Sequence, residues 1–565
     1  MTRLPALVVG AVACVGMLAA LGPVTPARAD GGGGSLPPAA ARAVREARAR
    51  KDPARLAAAA KAARPVVEPV APAAARSAEP DGLVASGVWG SSPWEYRVEN
   101  GQRVLILHAG TIGQNDPDEG PSAHQVADVL PDKGSGLSVI RIDPGVAAAY
   151  GDHLFAGLPS LLRIEGGGNL DVSKVTSTYR MFEDDVALQS VDVGDWDMSN
   201  VVNAAAMFKN CRSLRSLDVG NWNTSKVFQT GWGGEDESDR GIGQYNEADH
   251  QTQGMFENDS MLTFLDVGRW DMGNLYDAAG MFKGDTSLDF VDVSGWNVQN
   301  LNYTSHMFEN DTMLQDVDPS AWHPCNYELL GMAYMFKGDT KLKSITFNRI
   351  PGQTALDSLV YMFADDPSLV SVDMNHSAFP AVKYVGHMFA NDPALVSVNM
   401  SHISIGELLR ADYMFAGDRS LTDVNFRGAC ISPAFNPAGD YYETTFEHMF
   451  DGVSSLSYLD LSALIRSYMV DTSPTYVRSK DMFAGATSLH TLVLPRDAYH
   501  WMANSGLPDV PAAGSRVPES SQVVASSRWV ALNGSAKGSM YTSQQLMDMG
   551  LRPEATVYQW DMRDA

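Results

Sequence analysis

The sequence predicts an α/β repeat solenoid of about twelve strand-turn-helix units, and three observations carry that prediction. The first is a Met-Phe pair recurring at Met181, Met207, Met255, Met281, Met307, Met335, Met362, Met388, Met414, Met449 and Met482, with Leu154-Phe155 as a degenerate first copy. Most of its spacings are 26 to 28 residues, a period at which each unit buries its apolar side only against its neighbours. The second is an apolar triplet six, nine and eleven residues after each Phe, as in Leu188, Val191, Val193 and Leu214, Leu217, Val219. Its last two members alternate, so they share one side of an extended segment and give one short strand per unit. The third is Gly, Asn or Asp two residues after every Phe, including Gly157, Asp184, Asn210, Asn258, Gly284 and Asn310. These residues tolerate the left-handed conformation that stops a helix, so a short helical turn is expected to run into Met-Phe and end there.

Strand, corner, helical turn and capped return make the cycle of a leucine-rich repeat. The stretch LDVGNWNTSKV at Leu217 to Val227, with the Met-Phe endings, resembles the BspA-like leucine-rich repeat surface proteins, whose unit resembles LxxLDVSxWDTSNVTDMxxMF. The resemblance spans roughly residues 83 to 565, and copies after Met335 lose the Trp and much of the DxSN segment. It implies a β-rich capping region before the repeats, a small closing module after them, and adhesion: the family is associated with host matrix and plasma proteins and with contact between cells.

The elements follow in order. Residues 1–29 carry Arg3, an apolar run from Leu4 to Leu21, and Ala27-Arg28-Ala29, the pattern of a secretory signal peptide. Residues 30–82 form an Ala/Pro/Arg-rich linker unable to bury enough apolar surface to fold alone, more basic than the rest. It reads as a solvated spacer or as a tether to cell-wall polymers. Residues 83–153 are the N-terminal β cap: Asn100-Gly101 marks a turn between strands Trp94 to Val98 and Arg103 to Leu107, and Leu137 to Ile142 reads as a further strand. The array occupies 154–500, with an acidic insertion over 233–254 and smaller excesses containing Tyr441, Tyr442, Tyr468 and Tyr476. Such insertions emerge as loops on one face, as drift or as binding elements. A linker over 501–526 leads to the closing module at 527–565.

The formal charge of −25 argues against nucleic acid and anionic membrane as partners of the repeats, and favours basic protein surfaces or cations. No stretch beyond the leader approaches the length of a membrane span. Cys211, Cys325 and Cys430 sit at different points of different repeats, so they are expected as partly buried thiols. Neither a GxSxG elbow, a P-loop, HExxH nor CxxC occurs, so no catalytic residue, metal site or cofactor is expected.

The candidate binding residues lie in two strand columns. Asp192, Asp218, Asp266, Asp292 and Asp373 stand between the last two apolar positions, where alternation points them outward. At roughly 4.8 Å per step, two like charges repel by roughly 0.9 kcal/mol even in bulk water. Such a ladder is either well hydrated or met by a positive partner. Phe264 and Phe290 occupy the neighbouring outward column, an aromatic anchor within an acidic face. Trp196, Trp222, Trp270, Trp296 and Trp322, fourteen residues after Phe, fill the corner if buried and form a sugar-stacking platform if open to solvent. The expected function is therefore a secreted or surface-associated adhesin-like protein that binds an extracellular protein. A cell-envelope scaffold and a carbohydrate-binding protein are the alternatives.

Overall fold

The computed structural model describes residues 81–113, 125–231, 252–319, 322, 331–347, 350, 355–433, 444–463, 477–496, 502–550, 552 and 554–565. All fall in one compact unit, Glu79–Ala565. The expectations for the leader, most of the 30–82 linker, Cys325, nearly all of the acidic insertion and Tyr441, Tyr442, Tyr468 and Tyr476 lie outside the described residues.

Each repeat is joined to the next by its backbone. The N–H of Phe in one copy donates to the Met carbonyl of the following copy: Phe155 to Met181 at 2.9 Å, Phe182 to Met207 at 2.8 Å, Phe208 to Met255 at 2.8 Å, and so on to Phe450 and Met482 at 2.8 Å. The short strands pair in parallel at the same step, Ser216 with Phe264 and Leu217 with Leu265, then Ser344, Ser371, Ser397 and Asp423 in one line. A second line of parallel bridges links Ser177, Asn203, Gln229, Asp277, Tyr303 and Gly331, four residues ahead of Met in every copy but that of Gln229, where the acidic insertion separates it from Met255. The unit is thus an extended step, a turn, and a second extended step, repeated in register.

Between them the side chains sort into columns. The Phe rings stack face to face from Phe155 to Phe483, with centroids 5.4 Å apart at Phe155 and Phe182, 5.1 Å at Phe182 and Phe208, and 6.1 Å at Phe450 and Phe483. The Met residues and the Leu and Val strand positions are buried around them, giving one continuous core. In copies lacking the corner Trp, the buried Ser377, Ile403 and Ala429 hold its place, and just after them Phe379, Ile405 and Ile431 join the core from a separate three-stranded parallel sheet, Ala378–Phe379, Ser404–Leu408 and Cys430–Pro433.

The structure corrects the expected helix. The Met-Phe segments are successive turns, and the α-helices among the described residues are Val126–Val129 and Ser543–Met547. The residue two after Phe is left-handed as expected, with φ of 64° at Asp184, 64° at Asn210 and 77° at Gly284. A second left-handed residue stands just before Met, with φ of 56° at Arg180, 61° at His306, 60° at Tyr334 and 57° at His387. Two such residues four positions apart leave no room for a helical turn between them. The class is therefore a strand-and-turn repeat.

Both ends are covered. Gly82–Trp89, Ser92–Glu99 and Gln102–Leu107 form an antiparallel meander, and Leu137–Ile142 then pairs in parallel with Gln102–Leu107 and with Arg163–Glu165 of the first repeat. At the other end Thr556–Asp564 pairs antiparallel with the last repeat strand, Thr491–Leu494, and Gln522–Ala531 adds beyond it. Trp529 is fully buried there, its indole N–H donating to Ser543 Oγ at 3.0 Å. A capping box between Thr542 and Gln545 starts the adjoining helix.

Two glycines test this geometry. A Cβ on Gly254 would stand 1.7 Å from the Gly280 carbonyl oxygen, whereas one on Gly157, at φ 71°, meets nothing within 4 Å. Gly254→Ala should lower stability by about 2 kcal/mol through overpacking. Gly157→Asn, which copies the residue used at Asn210 and Asn258, should leave the thermal midpoint unchanged or raise it slightly. Thermal denaturation of the two variants checks both.

Candidate functional site

The outer strand face carries the residues singled out from the sequence. Asp192 and Asp218 are exposed, and Asp266, Asp292 and Asp373 are half-exposed on the same column. Pairing of Leu217 with Leu265 sets Asp218 beside Asp266. Each carboxylate leans over a glycine of the preceding copy: a Cβ on Gly194 would lie 3.2 Å from Asp218 Cγ, one on Gly220 2.7 Å from Asp266 Oδ2, and one on Gly268 3.2 Å from Asp292 Oδ2. The Asp-Val-Gly triplets at Asp192, Asp218 and Asp266 thus keep the next carboxylate seated. That recurrence was visible in the sequence, but its cause was not, because the glycine and the carboxylate it serves are a full repeat apart.

The column is partly engaged within the chain. Arg269 pairs with Asp266 at 3.1 Å, and Asp292 Oδ1 accepts from the Ser294 N–H and hydroxyl at 3.2 and 2.7 Å. Toward the C-terminal copies the repulsive ladder gives way to a hydrogen-bonded one: Asn399 Nδ2 donates to Asp373 Oδ1 at 2.9 Å, and Asn425 Nδ2 to Asn399 Oδ1 at 3.2 Å. Bare negative charge is therefore concentrated on the N-terminal copies, around Asp192 and Asp218. Phe264 and Phe290 are half-buried on the adjacent outward column of successive repeats, Phe264 within the strand Phe264–Leu265 and Phe290 bridging to Asp316.

The tryptophan column faces inward. All five rings are buried, and each indole N–H donates to a backbone carbonyl of an earlier repeat: Trp196 to Gly167 at 3.0 Å, Trp222 to Val193 at 2.8 Å, Trp270 to Val219 at 2.9 Å, Trp296 to Val267 at 2.9 Å and Trp322 to Val293 at 3.1 Å. Trp222 stacks on Trp270 at 5.9 Å, and Trp296 on Trp322 at 6.1 Å. The rings and their polar edges are both occupied, so a sugar platform on this column is ruled out.

Two further columns escaped the sequence reading. Three residues after Phe, Asp185, Asp259, Asp285, Asp311, Asp339, Asp366, Asp392 and Asp418 are fully buried. Just ahead of them, Lys209 pairs with Glu257 at 3.1 Å and Lys283 with Glu309 at 2.8 Å. Burial pushes the Glu309 carboxyl up, but the hydrogen bond and charge of His306, 2.7 Å away, together with Lys283, outweigh it and hold it down at about 2. Among the described residues no three His, Cys, Asp or Glu side chains gather as a metal-binding set.

What the fold defines is a strand-rich protein of stacked leucine-rich units with an acidic outer strand face. Residues 154–231 and 235–349 match the profile of a family described as Mycoplasma protein of unknown function, DUF285. Among solved structures the chain is similar to a leucine-rich cell surface protein from Faecalibacterium prausnitzii, at 14% identity over 72% of this chain and 94% of that one, with a TM-score of 0.29. It is also similar to an internalin from Listeria monocytogenes, at 12% identity over 69% and 79%, with a TM-score of 0.16. No curated protein matches. These likenesses are distant, and the function has to come from the chain's own surface.

Glu309 provides a test of the inner electrostatics. Its carboxyl is held below its unfolded value, so its contribution is present above about pH 4.5 and is lost as pH falls through about 2. Glu309→Gln should cost up to about 3 kcal/mol at neutral pH. The gap to the parent chain should close progressively below about pH 4, as read by urea unfolding.

Proposed function

We propose that this chain is a leucine-rich-repeat solenoid displayed outside the cell, and that it binds a basic extracellular protein through the outer strand face of its N-terminal copies. The observation that carries the reading is the solvent-facing run of Asp192, Asp218, Asp266 and Asp292, set one repeat apart, with Phe264 and Phe290 in the next column. An acidic face steers a basic partner and fixes its register, and half-buried aromatics supply the apolar centre that such a contact needs. Secretion rests on the pattern of residues 1–29, and adhesion on the resemblance of the repeat unit. Among the described residues no helix is long and apolar enough to cross a membrane.

The test is capture of proteins from host matrix and plasma fractions by the full chain, at low and at physiological salt. Capture by the parent chain should fall as salt rises, because exposed charges act over a screening length of about 10 Å at 0.1 M ionic strength. Asp218→Lys with Asp266→Lys should weaken it roughly tenfold or more at low salt and much less at high salt. Equal capture by a folded double variant at both salts removes this face. Loss of cell retention without loss of capture, on deleting residues 30–82, assigns that segment as a tether.

A further inference from the structure

The eight aspartates three residues after Phe occupy an environment opposite to that of the outer column. None has any solvent-accessible surface. In each, Oδ1 accepts the backbone N–H of the equivalent residue one repeat earlier: Leu158 to Asp185 at 2.7 Å, Cys211 to Asp259 at 2.8 Å, Asp259 to Asp285 at 2.8 Å, Asp285 to Asp311 at 2.9 Å, Asp311 to Asp339 at 2.9 Å, Asp339 to Asp366 at 2.6 Å, Asp366 to Asp392 at 2.7 Å and Asp392 to Asp418 at 2.8 Å. The second oxygen, Oδ2, is sealed from solvent in all eight and has no hydrogen-bond partner among the described residues. From Asp259 to Asp418 the carboxyls follow one another without interruption through six further copies of the Met-Phe turn.

A negative charge has nothing to hold it there. One backbone N–H per carboxyl, with a second from Gly284 at Asp311 and from Gly338 at Asp366, does not replace the hydration of an anion, and a neighbouring carboxylate one repeat away opposes it. The ionisable groups facing the column are themselves acidic or neutral: Asp184 beside Asp185, Cys211 between Asp185 and Asp259, Glu257 beside Asp259 and Asp285, Glu309 beside Asp311 and Asp339, and Asp365 beside Asp366 and Asp392. The nearby cations go elsewhere, Lys209 to Glu257, Lys283 and His306 to Glu309, and Lys337 to Asp365 at 3.9 Å. Among the described residues no Lys, Arg or His makes an ion pair with any of the eight. Burial pushes all eight well above the ordinary carboxylate range, and in every one but Asp418 a neighbouring carboxyl adds to it.

We propose that this buried column is a proton-binding element: the folded chain holds its eight carboxyls as neutral acids, and acidity thereby sets the stability of the central repeats. Each aspartate binds its proton more tightly folded than unfolded. Its contribution is complete below the unfolded value of about 4 and is lost as pH rises through the higher folded value. For every proton the folded state holds in excess, the folding equilibrium constant falls about tenfold per pH unit in that window. The outer strand position follows each member by five residues, as at Asp339 and Ser344, and three of the eight, Asp185, Asp259 and Asp285, lie in the repeats that carry Asp192, Asp266 and Asp292. The inference holds whether or not that face binds a basic protein.

The test compares the full chain with Asp285→Asn/Asp311→Asn/Asp339→Asn. Asn preserves the shape and the Oδ1 acceptor but cannot ionise. Urea midpoints should fall in the parent chain as pH rises above the ordinary carboxylate range, and the triple variant should show a flatter profile, whatever its stability at any one pH. Parallel profiles overturn the proposal. Infrared spectroscopy of the parent chain in heavy water at neutral pH keeps the test independent of the variant's folding. A carboxylic-acid carbonyl band, resolved from the carboxylate bands and vanishing on unfolding, is expected; a native spectrum without it overturns the proposal equally.

Discussion

The hydrogen bond from each Phe N–H to the Met carbonyl of the next copy is the constraint on which the rest of the structure depends. It recurs at 2.8 to 3.0 Å through eleven consecutive copies, from Phe155 with Met181 to Phe450 with Met482. Because donor and acceptor occupy the same turn, every other position is forced onto its own equivalent one repeat away. The Phe rings must then stack, the Trp N–H groups must find the carbonyls of the earlier copy, and outward strand residues must line up. A stack of this kind draws its stability from neighbour contacts, so no unit is self-sufficient and both ends need a cover. The meander at Gly82–Leu107 and the antiparallel closure on Thr491–Leu494 supply the two covers.

The same register gives aspartate two opposite roles. Asp192 and Asp218 stand on the outer strand column, where water surrounds them and glycines of the preceding copy make room. Asp285, Asp311 and Asp339 lie a few residues upstream on the inner side of the turn, where their carboxyls meet backbone N–H groups and no cation. One set is suited to meeting a positive surface and the other to holding a proton. Neither residue type nor local sequence separates them; position within the turn does.

Much of this was legible in the sequence. The period, the strand pair, the left-handed residue two after Phe and the N-terminal strands at Trp94, Arg103 and Leu137 all followed from local chemistry, and the φ values at Asp184, Asn210 and Gly284 agree. The helix did not survive. Its failure traces to the left-handed residue before Met, which is Arg180, His306, Tyr334 or His387 in different copies. Arg and Tyr carry no chemical mark of a positive φ and His only a statistical one, so the recurrence at one register position was the signal that could have revealed it. The buried aspartates were hidden for another reason. A polar residue in a turn reads as solvated, and the bond that makes burial tolerable comes from a backbone group a whole repeat away. The Trp column divided the same way: its spacing was plain, while its inward orientation depended on carbonyls such as Val193 and Val219.

Native-state hydrogen exchange, resolved to the amides of Phe208, Phe256, Phe282, Phe308 and Phe336, tests the in-register ladder most directly. If each amide is held by the next copy, these five should be protected together, with similar opening free energies that rise and fall as one block when denaturant is added. Rapid exchange at these amides, or protection that differs repeat by repeat with no common response, would contradict the account.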